Sequence, residues 1–249
     1  MEIIINNNKT QIKLESNKII GINKNIDLSK VLNTNNIIKI NNLEINKLEY
    51  KKKISYINKD YQPISFKSNI YELMYYEIRK KDLKLKNPAK KMKDSLRIVG
   101  LKVSLLERNI NTLSSSERKL FSISLALLSN PEIIILEEPF IYLDLHNRKK
   151  LMILLKRMKD DYNKTIIIIS NDNNILYKYT DYVLLYKNTK IQLQGNTKEV
   201  FSNITSLNKH KIELPESVEF TYKAKLKKNV RLDYHKDIRD LIKDIYKHV

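Results

Sequence analysis

Two neighbouring stretches of the chain decide the fold: Leu113-Ser114-Ser115-Ser116-Glu117-Arg118-Lys119 and Ile133-Ile134-Ile135-Leu136-Glu137-Glu138-Pro139. In the first stretch, Ser114 is followed three residues later by Glu117, which is the pattern of a capping box at the start of a helix. The second stretch is an unbroken aliphatic run, typical of a strand buried on both faces of a parallel sheet. That run ends in two carboxylates and a proline. The sequence therefore predicts a helix, a buried strand and polar groups where the strand ends.

Apolar runs and helical patterns alternate along most of the chain. The strand-like runs are 3–5, 12–14, 19–22, 37–40, 54–57, 133–136, 165–170, 182–186 and 190–194. The helical patterns cover about 68–81, 89–99, 115–128, 146–160 and 174–178. This alternation predicts an α/β sheet with ligand sites at the carboxyl ends of the strands, and residues 187–189 predict a hairpin turn. From about residue 206 we expect a basic, helical tail.

The serines and the paired carboxylates each have two interpretations. Ser114 and Glu117 can simply cap a helix, or the N–H groups and hydroxyls at this helix start can bind a phosphate. Glu137 and Glu138 can be a solvated strand end, or they can hold Mg²⁺ through water and polarise an attacking water molecule. The spacing of the two motifs, the Leu143-Asp144 pair and the 170–172 segment favour the functional interpretation.

Together these motifs resemble the signature helix, the Walker B strand and the D-loop of an ATP-binding-cassette (ABC) ATPase. Residues 165–172 resemble the strand and switch loop of that family, and residues 181–185 and 195–201 resemble its closing strands. The segment 88–101 and the tail 214–242 resemble the ATPase subunits of energy-coupling-factor (ECF) transporters. The resemblance covers nearly the whole chain.

The resemblance implies a P-loop NTPase-like cassette. We expect a mainly parallel sheet flanked by helices, a small antiparallel β part, and a helical signature subdomain at about 60–128. The nucleotide-binding domain would cover residues 1–205, and a small helical extension would cover residues 206–249.

The phosphate-binding loop departs from the family pattern G-x-x-x-x-G-K-[ST]. The corresponding segment is Gly21-Ile22-Asn23-Lys24-Asn25-Ile26-Asp27-Leu28-Ser29-Lys30-Val31. Lys30 aligns with the phosphate lysine, but the inner glycines are gone, Val31 has no hydroxyl for a metal, and Asp27 places a negative charge beside the phosphates. Non-glycine residues in left-handed geometry cost about 1–2 kcal/mol each, so we expect this loop to bind ATP poorly.

Other motif positions depart as well. Ser115 and Ser116 stand at the signature glycines, and Glu137 stands at the Walker B aspartate, where it is a weak candidate for Mg²⁺. Asn171 stands at the switch histidine and cannot carry a proton. The Q-loop position is Asn58, with no glutamine before Gln62.

By the resemblance, cassettes work as head-to-tail pairs. Lys30, Glu137, Glu138 and Asn171 would form one degenerate site, with Glu138, Glu137 and Asn171 at its catalytic positions. Ser114, Ser115, Ser116 and Glu117 would serve the ATP site of a partner cassette, and Asp144 would lie beside them in the D-loop.

The expected function is therefore that of the weak cassette of an ECF-type importer of a small nutrient, with ATP and Mg²⁺ bound by the complex. The expected partners are a second cassette, a transmembrane coupling subunit and a substrate-binding membrane subunit. A groove for a membrane coupling helix is expected at residues 61–76. The aromatic and apolar content of this region suits a groove, and core packing explains it about as well: Phe66, Ile70, Tyr71, Leu73, Met74 and Tyr75.

Composition limits the alternatives. The 249-residue chain has no cysteine, which excludes disulfides and thiolate metal sites, and its first residues do not have the pattern of a signal peptide. We therefore expect it at the cytoplasmic face of the cell membrane. The net charge of +19 is spread along a chain with only 3 Gly, which fits codon bias better than a nucleic-acid surface. A non-hydrolysing scaffold and a nucleic-acid-linked cassette remain as alternatives.

Overall fold

The computed structural model describes residues 2–7, 10–23, 37–40, 43–44, 52–59, 69–187, 190–228 and 232–248. The strands of this part are β1 (Glu2–Asn7), β2 (Thr10–Glu15), β3 (Ile19–Asn23), β4 (Ile37–Ile40), β5 (Leu43–Glu44), β6 (Ile54–Ile57), β7 (Ile133–Glu137), β8 (Thr165–Ser170), β9 (Tyr182–Lys187) and β10 (Lys190–Asn196). All nine strands predicted from the sequence are therefore confirmed, within a residue or two at their ends.

The helices of the described part are α1 (Ile70–Lys80), α2 (Pro88–Ile98), α3 (Ser115–Leu127), α4 (Leu145–Tyr162), α5 (Asn173–Tyr179), α6 (Thr197–Ser202), α7 (Ile204–Lys209), α8 (Glu216–Lys228) and α9 (Ile238–His248). Two 3₁₀ turns, Val103–Glu107 and Ile110–Thr112, lie between α2 and α3. The five predicted helices are confirmed as α1 to α5. No helix in the described ranges is long and apolar enough to cross a membrane.

The strands form two sheets. The smaller sheet has the order β2-β1-β4-β5 with antiparallel pairing throughout, and the larger has the order β10-β9-β3-β8-β7-β6. In the larger sheet β3 runs parallel to β9 and β6 runs parallel to β7, whereas β9 and β10 form the predicted hairpin. The two residues at its turn, 188 and 189, lie outside the described residues. The predicted combination of a mainly parallel sheet, a small antiparallel part and flanking helices is confirmed.

Two compact units divide the chain, one of residues Met1–Asn17 and Ser29–Ile167 and one of Lys18–Leu28 and Ile168–Val249. In the first unit, Ile133, Ile134, Ile135 and Leu136 of β7 are each 1% exposed, as expected for a strand covered on both faces. In the second unit, Val183, Leu184 and Leu185 of β9 are fully buried. The predicted boundary between residues 205 and 206 stays a prediction.

Local signals explain where the helices begin. Asn69 caps α1 with Glu72 in a reciprocal capping box, and Pro88 occupies the first turn of α2, where its missing N–H costs nothing. Asp144 caps α4, which ends at Asn163 in a left-handed conformation with φ of 52°. These signals are properties of residues three or four apart, so the sequence alone reveals them.

Two predictions are wrong. Residues 197–201 were expected to continue a closing strand, but Asn196 accepts a hydrogen bond from the Lys198 N–H at 2.9 Å and so starts α6. The expected membrane-coupling surface included Ile70, Leu73 and Met74, but these side chains are buried in the core because they lie on the inner face of α1. Residues 61–68 of that surface, including Phe66, lie outside the described residues.

Candidate nucleotide-binding site

The start of α3, with residues 113–117, forms what we call the signature corner. Ser114 is the N-cap, and its hydroxyl accepts a hydrogen bond from the Glu117 N–H at 3.2 Å. The Glu117 carboxylate accepts one in return from the Ser114 N–H at 2.9 Å. This hydrogen bond from the Ser114 backbone lowers the pKa of Glu117 below its usual range. The predicted capping box is therefore present, and it holds the first turn of α3 in register.

The signature corner is open to solvent. Ser114 and Ser115 are exposed, and Ser116 is half-buried. The first N–H groups of a helix have no partner within the helix, and the helix dipole favours an anion beside them. Ser115 adds a hydroxyl donor, whereas the Ser116 hydroxyl already donates to the Tyr142 carbonyl. The Cβ atoms of both serines hold an anion farther from the backbone than glycines would. The arrangement can bind a phosphate that another molecule presents.

The D-loop (residues 138–144) connects β7 to α4. Its Phe140 and Leu143 are buried, whereas Ile141 and Tyr142 are exposed. Asp144 caps α4 by accepting hydrogen bonds from the Asn147 N–H at 2.8 Å and from the Asn147 side chain at 2.9 Å. The first of these bonds lowers the pKa of Asp144. Asp144 is thus occupied as a helix cap, and its proposed place at a nucleotide stays a prediction.

Glu137, the last residue of β7, lies in a second group of polar residues that we call the Glu137 corner (Tyr56, Lys59, Lys119 and Glu137). The Glu137 carboxylate accepts hydrogen bonds from the Tyr56 hydroxyl at 3.0 Å and from the Lys59 N–H at 3.3 Å. The Lys119 ammonium, on a residue that is 6% exposed, donates to the Glu137 carbonyl at 3.3 Å and to the Lys59 carbonyl at 3.5 Å. The chain itself therefore engages this carboxylate.

The fit of Mg²⁺ to these residues is poor. Within the described ranges no group of three His, Cys, Asp or Glu side chains could hold a metal ion. Glu137 and Glu138 are adjacent, but one Glu137 oxygen already accepts two hydrogen bonds from Tyr56 and Lys59. Glu138 has a left-handed φ of 45°, which costs about 1–2 kcal/mol for a residue with a Cβ. This part of the chain does not form a complete magnesium site.

The remaining predicted site residues are spread over several segments. Asn171 is exposed and follows β8, where Asp172 caps α5 by accepting from the Asn174 N–H at 2.8 Å. Asn58 is exposed at the end of β6. Lys30 and Gln62 lie outside the described residues, so the phosphate-loop and Q-loop predictions on them stay predictions.

Sequence reasoning missed the Glu137 corner. Lys119 carried a usable signal, because residues 119–127 of α3 are all buried and a lysine in such a run needs polar partners. Tyr56 carried no local signal, since its contact with Glu137 depends on the parallel register of β6 and β7, in which Tyr56 lies opposite Ile135.

Comparison with known proteins agrees with the fold. Residues 25–141 match the family model of the ABC transporter domain. The energy-coupling factor transporter ATP-binding protein EcfA3 of Oenococcus oeni is 26% identical over 202 residues, which cover 80% of this chain and 69% of that protein. EcfA2 of Staphylococcus aureus (strain MRSA252) is 33% identical over 134 residues, which cover 54% of this chain and 47% of that protein. The chain thus aligns with about half the length of several such relatives.

Solved structures give the same result. The structure of cbiO1 from Clostridium perfringens, described as part of the ABC transporter complex cbiONQ, has a TM-score of 0.67 at 21% identity and covers 89% of this chain and 98% of its own. A dimeric bacterial ABC transporter cassette has a TM-score of 0.64 at 18% identity and covers 78% of this chain and 98% of its own. At such identities these structures establish the fold alone. Residues 25–141 therefore match the ABC transporter domain, and the chain is similar to the ATP-binding proteins of energy-coupling factor transporters.

Proposed function

We propose that this chain is a cassette subunit of an ECF-type importer, bound peripherally at the cytoplasmic face of the membrane and coupled to the uptake of a small nutrient. The similarity to EcfA proteins over 80% of the chain supports this assignment. Its partners are then a second cassette, a transmembrane coupling subunit and a membrane subunit that selects the substrate.

Within that complex the chain serves the partner's ATP site and is weak at its own. The observation that carries this proposal is the difference between the two corners. The signature corner keeps an open, capped helix start, whereas the Glu137 carboxylate is held by Tyr56 and Lys59. The first corner therefore offers a phosphate the N–H groups of the first turn of α3 and the Ser115 hydroxyl, whereas at the second corner one oxygen of the Glu137 carboxylate already accepts two hydrogen bonds.

The chemical role of the signature corner follows from its donors. The free N–H groups of the first turn of α3 and the Ser115 hydroxyl would bind the terminal phosphate of ATP held by the partner cassette, whereas the Ser116 hydroxyl donates to the Tyr142 carbonyl. The Glu117 carboxylate is held against the Ser114 N–H, which keeps its negative charge on the helix side. Binding here would orient the terminal phosphate and neutralise its charge. Positioning and charge stabilisation are the main protein contributions to phosphoryl transfer.

The exposed face of α1 supplies a surface for the membrane subunit. Tyr71, Tyr75 and Tyr76 are 43%, 41% and 49% exposed, and the Tyr71 and Tyr75 rings stack with their centroids 6.3 Å apart. Tyrosines are well suited to an interface because they bury a large area at a small entropic cost. This surface replaces the Ile70, Leu73 and Met74 part of the one expected from the sequence.

The experiment is affinity purification of the tagged chain from native membranes in mild detergent, with identification of the proteins that copurify. We expect a second cassette with an intact phosphate loop together with a multi-span membrane protein. Recovery of the chain alone, or with partners that are all soluble, would contradict the importer assignment and favour a non-hydrolysing scaffold, for which the internally bonded Glu137 corner is the supporting observation.

A further inference from the structure

A hydrogen bond joins the signature corner to the D-loop within this chain. The Ser116 hydroxyl, in the first turn of α3, donates to the carbonyl oxygen of Tyr142 at 2.7 Å. The bond spans 26 residues of sequence. A glycine, which is the family residue at the Ser116 position, has no hydroxyl and could not make it. The serine therefore connects the first turn of α3 to the D-loop in a way that a glycine could not.

The D-loop is a segment in which such a connection matters. Glu138 and Tyr142 both have left-handed backbones, with φ of 45° and 66°, a conformation that costs residues with a Cβ about 1–2 kcal/mol each. Within the loop, the Ile141 N–H donates to the Glu138 carbonyl and the Leu143 N–H donates to the Phe140 carbonyl, both at the long distance of 3.3 Å. Tyr142 itself is 59% exposed. The bond from Ser116 reaches the loop at this exposed and strained residue.

We propose that Ser116 is a positioning residue that holds the D-loop in a defined conformation against the signature helix, so that both surfaces are presented to a partner cassette as one unit. The consequence for ATP use rests on the proposed function. If the start of α3 binds the partner's phosphate, the Ser116 bond makes the position of Tyr142 depend on the same helix turn. The bond itself is a property of the single chain and does not depend on a partner.

The test is hydrogen–deuterium exchange on the full-length chain, read at the Ile141 and Leu143 amides in peptides that cover the D-loop. Ser116→Ala removes the hydroxyl, and we expect these amides to exchange about two- to tenfold faster, as for the loss of one net hydrogen bond. Ser116→Thr keeps a hydroxyl at the same position and is expected to restore slow exchange. Ser104→Ala, which changes an exposed serine of the first 3₁₀ turn, is the control and leaves the D-loop unchanged.

Three results would overturn the proposal. The first is unchanged exchange in Ser116→Ala, and the second is equally fast exchange in the alanine and threonine variants. The second result would mean that the hydroxyl is not what holds the loop. Because exchange is measured on the chain alone, failure to copurify a partner cassette would refute the proposed function and leave this result valid. The third result is a matched loss of protection across α3 in Ser116→Ala. It would refute the positioning role of Ser116, since the helix as a whole and not the D-loop alone would then be affected.

Discussion

The signature corner lies at the start of α3 and the Glu137 corner lies at the end of β7. The two corners differ in how their polar groups are used. At the signature corner the capping hydrogen bonds between Ser114 and Glu117 join residues three apart and leave the helix start open. At the Glu137 corner the hydrogen bonds reach across 81, 78, 60 and 18 residues and involve one carboxylate oxygen and the nearby carbonyls. One corner is available to a ligand and the other is satisfied by the protein.

Under the proposed function, this difference explains how a cassette would lose its own catalytic site and keep the site that serves a partner. A helix start needs only its cap and an open approach, so substitution of glycines by serines leaves its donors in place. A metal site needs several oxygen ligands aimed at one point, and a carboxylate that is bound by a tyrosine and a backbone N–H no longer meets that need. The two corners can therefore diverge independently.

The largest expected effect tests whether the signature corner is the functional one. Ser115→Arg places a long cationic side chain over the start of α3, and we expect the ATPase rate of the purified two-cassette complex to fall about 100-fold or more, as when an essential phosphate-binding donor is lost. In the same complex Glu138→Gln is expected to change the rate less than about twofold, since its own site contributes little. Both rates are measured as steady-state phosphate release.

Ser104→Arg is the control for this pair, because it adds the same side chain at an exposed position of the first 3₁₀ turn, outside α3. A large loss with Glu138→Gln and a small one with Ser115→Arg would reverse the assignment of the two corners.

A smaller effect is expected when the Glu137 corner is opened. Lys119→Met removes the buried ammonium that donates to the Glu137 and Lys59 carbonyls, and we expect the free energy of unfolding to fall by about 1–3 kcal/mol. The measurement is urea denaturation followed by circular dichroism. Lys156→Met, at an exposed position of α4, serves as the control and is expected to stay within about 0.5 kcal/mol. Equal stability of the two variants would show that Lys119 does not hold the corner together.

Tyr56→Phe sharpens the same test with a gentler change. It removes only the hydroxyl that donates to Glu137, and the expected loss in the free energy of unfolding is about 0.5–1.5 kcal/mol. Tyr162→Phe removes a hydroxyl from a residue that is 62% exposed and is expected to have no measurable effect. If both tyrosine variants behave alike in urea denaturation, Glu137 is not held by Tyr56 in solution.

The smallest effect concerns the pH dependence of the signature corner. The pKa of Glu117 is lowered in the folded chain, so its stabilising contribution is present above the ordinary carboxyl pKa of about 4.3 and is lost as the pH falls through the lowered pKa. Solvent screens this side chain, and we expect a contribution of only a few tenths of a kcal/mol. The midpoint temperature of thermal unfolding should therefore fall slightly less between pH 6 and pH 3 for Glu117→Gln than for the unmodified chain. A steeper decline in the variant would contradict the capping role.

Much of the fold followed from local sequence. The unbroken aliphatic runs of β7 and β8 and the capping residues Ser114 and Asp144 each carry their signal within a few neighbouring residues. The signature corner was predictable for the same reason. The start of α6 was missed even though Asn196 is a good capping residue, because residues 195–201 were interpreted by resemblance as part of the closing strands.

The sequence by itself determined the order of strands and helices, the capped start of α3 and the departures from the phosphate-loop pattern, because those properties depend on residue type and on spacing of up to four residues. Only the tertiary structure decided that Tyr56 and Lys59 engage Glu137, that Lys119 finds its carbonyl partners and that Ser116 reaches Tyr142. These contacts depend on the register between β6 and β7 and on how α3 and the D-loop pack against each other. No local pattern encodes them, since each joins residues that become neighbours only when the chain has folded.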